Sequence, residues 1–156
     1  MIRGGSSGPP YPDPAWAYVP GRTSRHPDGT FEVLCDTARP DMTARELSQT
    51  DAWLAGLQYL DRGFFWEAHE VIEPVWMAIP DGAPERLVVQ AVIQIANASL
   101  KQKMERPGAV LRLCAIAEAL LADGQAGCLT MGVRMQDLQD LIVTQRETAN
   151  RKTSEA

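Results

Sequence analysis

An all-α fold is what this sequence predicts, and three observations predict it. Apolar residues recur three and four positions apart over long stretches, the spacing of one helical face. The breaks between those stretches fall at Pro and Gly, which punctuate helices. Neither a strand-type alternation nor a repeat of fixed period is visible. The expectation is about five helices in a compact orthogonal or bundle-like array. An extended, Pro/Gly-rich arm occupies residues 1–41, a single helical domain residues 42–151, and a frayed tail residues 152–156.

The arm is dense in Pro9-Pro10, Pro12, Pro14, Pro20-Gly21 and Pro27-Asp28-Gly29, residues that deny helix and central strand alike. It also carries Tyr11, Trp16, Tyr18, Val19, Phe31, Val33 and Leu34, which are worth burying, so its second half is expected to lie across the helical body. Arg22, Arg25 and His26 would be its contribution to any pocket it reaches; as loop residues they would simply be solvated.

Thr43-Ala44-Arg45-Glu46 forms a capping box at the start of the first helix, and Met42 and Leu47 are spaced for a hydrophobic staple. The stripe Leu47, Trp53, Leu54, Leu57, Leu60 carries that helix to Arg62-Gly63, where glycine suits a left-handed stop. A second helix follows at once, so the pair should form an antiparallel hairpin. Pro74 interrupts it, and the ring frees the carbonyl of Glu70 from its helical bond. Pro84-Glu85-Arg86 opens the third helix, with proline and acid where the first turn favours them. A fourth runs over Ala109 to Leu121, an irregular segment over Gln125 to Met135, and a fifth helix from Gln136 to about Arg151.

With 156 residues, 45% of them hydrophobic, the chain suits one domain with a substantial core. The net charge of −5 is spread along it, and no basic face with interleaved aromatics appears, which argues against nucleic acid as a partner. The N-terminus lacks an apolar signal core and no apolar run is long enough to span a bilayer. A cytoplasmic protein without a membrane partner is the expectation. Three scattered cysteines, with no Cys-x-x-Cys pair, fit reduced thiols, and Cys114 lies in an apolar helical run.

The chemistry concentrates on the second helix. Phe64, Phe65, Ala68, Val71, Ile72 and Val75 share one side, and Trp66, His69, Glu70, Glu73, Trp76 and Met77 share the opposite flank. Acids and a histidine among tryptophans need partners if they are buried. The third helix offers them: Arg86, Gln90, Gln94, Asn97 and Lys101 follow one another by four, four, three and four, a narrow polar stripe on an otherwise apolar helix. The two polar faces are expected to meet.

The run Phe64-Phe65-Trp66-Glu67-Ala68-His69-Glu70-Val71-Ile72-Glu73-x-x-Trp76, followed by Gln90-x-x-Ile93-Gln94 and Gly108-Ala109, resembles the "domain of unknown function 309" family of small helical proteins. The resemblance runs from about Leu54 to Gly124. It implies that Glu67, His69, Glu70, Glu73 and Gln94 hold signature positions, and it implies no reaction. Two departures from the family pattern stand out. Pro74 replaces an acid or polar residue, and Lys101 stands where a histidine is frequent; an ammonium cannot coordinate a metal.

Three functions follow from the residues. In the first, His69-Glu70-x-x-Glu73 resembles the zinc-protease spacing with its last ligand a carboxylate, so His69 and Glu73 are candidate ligands of a divalent metal. In the second, Glu70 or Glu73 is the acid/base of a hydrolase-type small-molecule site, with Trp66, Glu67, Trp76, Arg86, Gln90, Gln94, Asn97 and Lys101 binding the ligand. The third, a structural polar network, leads: Glu70 or Glu73 pairs with Lys101 or Arg86, His69 bonds a carbonyl, and the amides satisfy the rest. The protein is then an interaction module, with the apolar stripe of its first or fifth helix available for a homodimer.

Overall fold

In the computed structural model, residues 10–124 and 127–155 are described; the first nine residues of the arm, the start of the irregular segment (125–126) and the end of the tail (156) lie outside them. Among the described residues are seven helices: α1 (Glu32–Cys35), α2 (Ala44–Leu47), α3 (Asp51–Arg62), α4 (Phe65–Ala78), α5 (Pro84–Lys103), α6 (Pro107–Asp123) and α7 (Met135–Glu155). Between α6 and α7 lies a small antiparallel ribbon of β1 (Leu129–Thr130) and β2 (Val133–Arg134). The helical class expected from the sequence therefore holds. The count rises above five because two one-turn helices, α1 and α2, flank the longer ones.

The single first helix expected over Thr43–Arg62 is two helices. The Thr43–Glu46 capping box forms in both directions, but α2 ends after one turn. There the Ser48 and Thr50 hydroxyls donate to the Arg45 and Leu47 carbonyls, and the Thr50 oxygen caps α3 by accepting from Trp53 N–H. Short hydroxyl side chains compete with the helix for its own backbone groups, which is why the break falls at these residues.

Gly63 closes α3 in the left-handed conformation (φ 88°), and only Phe64 separates it from α4. α3 and α4 pack closely because Gly56 faces Ile72 and Val71; a Cβ added there would meet Ile72 Cγ1 at 2.3 Å. α5 begins with Pro84 and packs against α4, α6 and α7. The buried residues of α3, α4 and α5 (Trp53, Leu57, Val71, Ile72, Val75, Val88, Val92) form the heart of the core, and Val110, Cys114, Leu138 and Ile142 extend it under α6 and α7.

The segment read as irregular holds the ribbon, whose register pairs Leu129 with Arg134 and Thr130 with Val133. Its two turn residues, Met131 and Gly132, both have positive φ (53° and 71°), as a two-residue primed turn requires. Buried Trp53 Nε1–H donates to the Met131 carbonyl at 2.8 Å and ties the turn to α3. α7 runs through residues 152–155, beyond the point where fraying was expected.

Candidate functional site

The arm contains more than extended chain: α1 sits in it, and it meets the body at several places, among them an exposed pair of Arg22 with Glu105 at 2.9 Å. Tyr11 exchanges two hydrogen bonds with the Gln58 amide, its N–H to Oε1 (3.3 Å) and its carbonyl from Nε2 (2.7 Å), while Asp13 takes both Arg62 donors at 2.5 and 2.6 Å. Near its other end, the Thr37 hydroxyl oxygen accepts from Ala52 N–H. Between them the arm crosses α4. Val33 (82% exposed) and Trp16 (37%) stay at the surface, against the expectation that they would be buried.

The crossing is built on Glu67. Its side chain is fully buried, its Oε2 accepts from Tyr18 N–H at 2.8 Å, and His26 Nε2 lies 2.6 Å from the same oxygen. The other carboxylate oxygen, Oε1, is buried with no hydrogen-bond partner. The His26 side chain is only 3% exposed. Its ring lies between two indoles, with Trp16 stacked at 4.7 Å and Trp66 at 5.9 Å, and Phe31 edge-on at 5.1 Å. Trp16 is itself fixed by its Nε1–H to the Ser24 carbonyl.

On the other flank of α4, His69 Nδ1 is 2.9 Å from Asn97 Oδ1 on α5, and Asn97 Nδ2–H donates to Gln94 Oε1 at 3.4 Å. The two polar stripes thus meet through His69, Asn97 and Gln94, all half-buried. His69 bonds a side-chain amide rather than the carbonyl anticipated. His69 Nε2 lies 3.5 Å from Glu73 Oε2, one turn on. Among the described residues, no three His, Cys, Asp or Glu side chains, His69 and Glu73 included, are grouped to hold a metal ion.

The cations do not reach this cluster. The Arg86 guanidinium lies 4.1 Å over the Trp76 ring, donates to the Trp76 carbonyl and pairs with Asp81, so it closes the C-terminal end of α4. Lys101 and Gln90 are half-buried, with no side-chain hydrogen bond or ion pair among the described residues. The pairing of Glu70 or Glu73 with Lys101 or Arg86 is therefore corrected. Arginine took the nearer aromatic face and helix-end carbonyl, both well suited to a flat cation.

Glu70 faces a third neighbour. It lines a cleft of about 450 Å³ with Arg25, His26, Phe31, Cys35 and Trp66. Partial burial pushes its carboxyl above the usual range, a shift opposed by His69 and Arg25 and reinforced by Glu73 and Glu67. The carbonyl that Pro74 frees accepts from the Cys35 thiol at 3.5 Å. Burial and the charges of Glu70, Asp36 and Glu73 push that thiol up to about 11, so it is a weak nucleophile.

Sequence reasoning offered His26 as a solvated or pocket-lining loop residue or as a third metal ligand, and missed Cys35 and Tyr18 as partners of the signature helix. The Trp16, His26 and Phe31 aromatics amid prolines were the signal that could have found them.

Fold and site define a helical-array protein in which a buried acid of the fourth helix pairs with a histidine of the arm. Residues 53–113 match the family model described as Domain of unknown function (DUF309). The match includes Glu67, His69, Glu70, Glu73 and Gln94 but not Tyr18 or His26. The arm's half of the buried pair thus comes from outside the matched segment. No curated protein and no solved structure matches the chain. Among the described residues no helix is long and apolar enough to cross a membrane.

Proposed function

We propose that this protein is a non-catalytic helical binding module in which the signature acids are divided between scaffolding and a ligand-facing cleft. Glu67 is the scaffold: it pins the arm across α4, and the pinned arm forms one wall of the cleft that Glu70 lines. The observation that carries the reading is the complete burial of Glu67 against Tyr18 N–H and His26. An acid engaged in that way is a structural anchor, since nothing outside the chain can touch it while the arm is seated. The His69–Asn97–Gln94 chain plays a similar part between α4 and α5. Networks of this kind set register more than they add stability.

Limited proteolysis tests the reading. Glu67→Ala should open residues 14–31 to cleavage while α3–α6 stay resistant, and Glu70→Gln should leave the arm as protected as in the wild type. An arm equally resistant in Glu67→Ala would refute the anchor.

A second reading, in which Glu70 is an acid/base toward a small molecule, is favoured by one observation, the upward push on its carboxyl at the cleft. Turnover lost in Glu70→Gln with ligand binding retained would support this reading, and binding lost together with any turnover would leave Glu70 a binding residue. Self-association belongs to the same module reading. It is supported by the apolar groove of Leu121, Ala122, Ile142 and Val143 between α6 and α7, and sedimentation of Val143→Asp against the wild type tests it.

A further inference from the structure

Glu67 is incompletely satisfied by the arm. Both of the arm's donors fall on Oε2, and Oε1 is left buried and without a partner. A buried carboxylate oxygen in that state is expensive and calls for a cause. The donor chemistry supplies one. An imidazole presents a single N–H to a carboxylate, whereas a guanidinium presents two parallel N–H groups at carboxylate spacing. The guanidinium is also the cation that best stacks flat on an indole, and the Trp66 ring already stacks on the His26 that meets Glu67. His26, a flat ring held between Trp16 and Trp66 with one nitrogen on Oε2, has part of that geometry but lacks the second donor.

We infer that α4 carries a guanidinium-binding site centred on Glu67 and Trp66, in which the arm's own His26 is a resident, imperfect ligand. The inference rests on the reading of Glu67 as the anchor of the arm. A guanidinium enters by displacing His26 and the Trp16 ring stacked on it, and it meets both carboxylate oxygens. The arm is then an internal competitor that keeps the site closed until such a group arrives. The attachments at Tyr11, Asp13 and Thr37 hold the ends of the arm, so displacement frees only the segment between them.

The test uses the full chain with methylguanidinium and methylammonium at millimolar, sub-denaturing concentrations, read by Tyr18 amide and indole N–H resonances. In His26→Ala, methylguanidinium should bind about tenfold more tightly than methylammonium, since only the former makes the paired bonds. Adding Glu67→Gln should remove the preference. In the wild type, the same probe should bind more weakly and shift the His26 ring signals. Equal binding of the two cations, or a preference that survives Glu67→Gln, overturns the site.

Should His26→Ala fail to fold, His26→Arg and His26→Lys decide the matter. Arginine should keep the Tyr18 amide protected from exchange and lysine should not; equal protection overturns the inference. A short peptide with one arginine, against its lysine counterpart, separates the two sources of the group. Binding by both methylguanidinium and the arginine peptide assigns a free small molecule or a side chain alike, and binding by the peptide alone assigns a protein partner. Equal binding of the arginine and lysine peptides refutes both. If the Tyr18 amide stays as protected in Glu67→Ala as in the wild type, the anchor reading itself fails, an outcome distinct from an open site without guanidinium preference.

Discussion

Truncation of Glu67 to alanine is the sharpest perturbation available in this molecule. It removes the acceptor of Tyr18 N–H and the partner of a His26 ring that is 3% exposed, so two buried polar groups lose their partner together. Deleting one member of a buried pair costs about 3–5 kcal/mol. For a chain of this size each kcal/mol moves the melting temperature by about 2–4 °C, which gives a fall of roughly 6–20 °C. Part of that loss is capped, because the arm can leave α4 while the helices stay folded, and no more is then lost than the arm's own docking contributes. Two probes distinguish the cases. Far-ultraviolet dichroism follows the helices, and fluorescence follows Trp16 and Trp66, the rings stacked on His26. The expected result is an early fluorescence transition separated from the helical one. Glu67→Gln retains an acceptor for Tyr18 N–H and should lose only about 1–2 kcal/mol. A Glu67→Ala protein within 1 kcal/mol of the wild type by both probes, about the value of a single ordinary hydrogen bond, would refute the argument.

Three further outcomes follow. Glu70 has its pKa raised above the ordinary 4.5, chiefly by burial, so its contribution to stability is fully present below that value and is lost as pH rises through the folded one. Glu70→Gln should flatten that slope in urea melts run across the carboxylate range, and an unchanged slope would count against it. Gly56→Ala gains about 1 kcal/mol of helix propensity, but its Cβ would sit 2.3 Å from Ile72 Cγ1 and 2.8 Å from Cδ1. Overpacking of this kind costs about 1–3 kcal/mol, so denaturant melts should show net destabilisation, and a variant as stable as the wild type would mean that α3 and α4 part freely. The Cys35 thiol, pushed up to about 11, should alkylate far more slowly than exposed Cys128 at mildly alkaline pH, and faster in Glu70→Gln; mass spectrometry showing equal labelling of the two cysteines would contradict this.

The helices were legible wherever local chemistry decides the outcome. The Thr43–Glu46 box, the left-handed Gly63 and the proline opening α5 act over one turn of chain and depend on little else, whereas α6 begins at Pro107, two residues before the expected Ala109. The break at Ser48–Thr50 was harder to see, because Thr50 has no acid three residues on to complete a second box. The ribbon was hidden for a different reason. Its turn places Met131 at positive φ where asparagine or glycine is usual, and what stabilises it, the bond from Trp53 Nε1–H, spans 78 positions. At the site, the meeting of His69 with Asn97 followed from two helical stripes. The partner of Glu67 lies 41 residues back in a proline-rich arm, where no periodicity carries information.

The geometry of a single helix explains how one signature run serves three neighbours. Successive residues turn by about 100°, so Glu67 and His69 point about 160° apart around α4, and Glu70 lies between them on the side away from the core. The core face is filled by Ala68, Val71, Ile72 and Val75. Glu67 therefore borders the core on the side the arm covers, His69 borders it on the side α5 covers, and Glu70 is left facing the cleft. Borders of a core are where a polar side chain can be buried and still reach a partner. Close spacing in sequence thus gives these acids separate tasks. A change at Glu67 is felt first by the arm, one at His69 by α5, and only one at Glu70 by whatever enters the cleft.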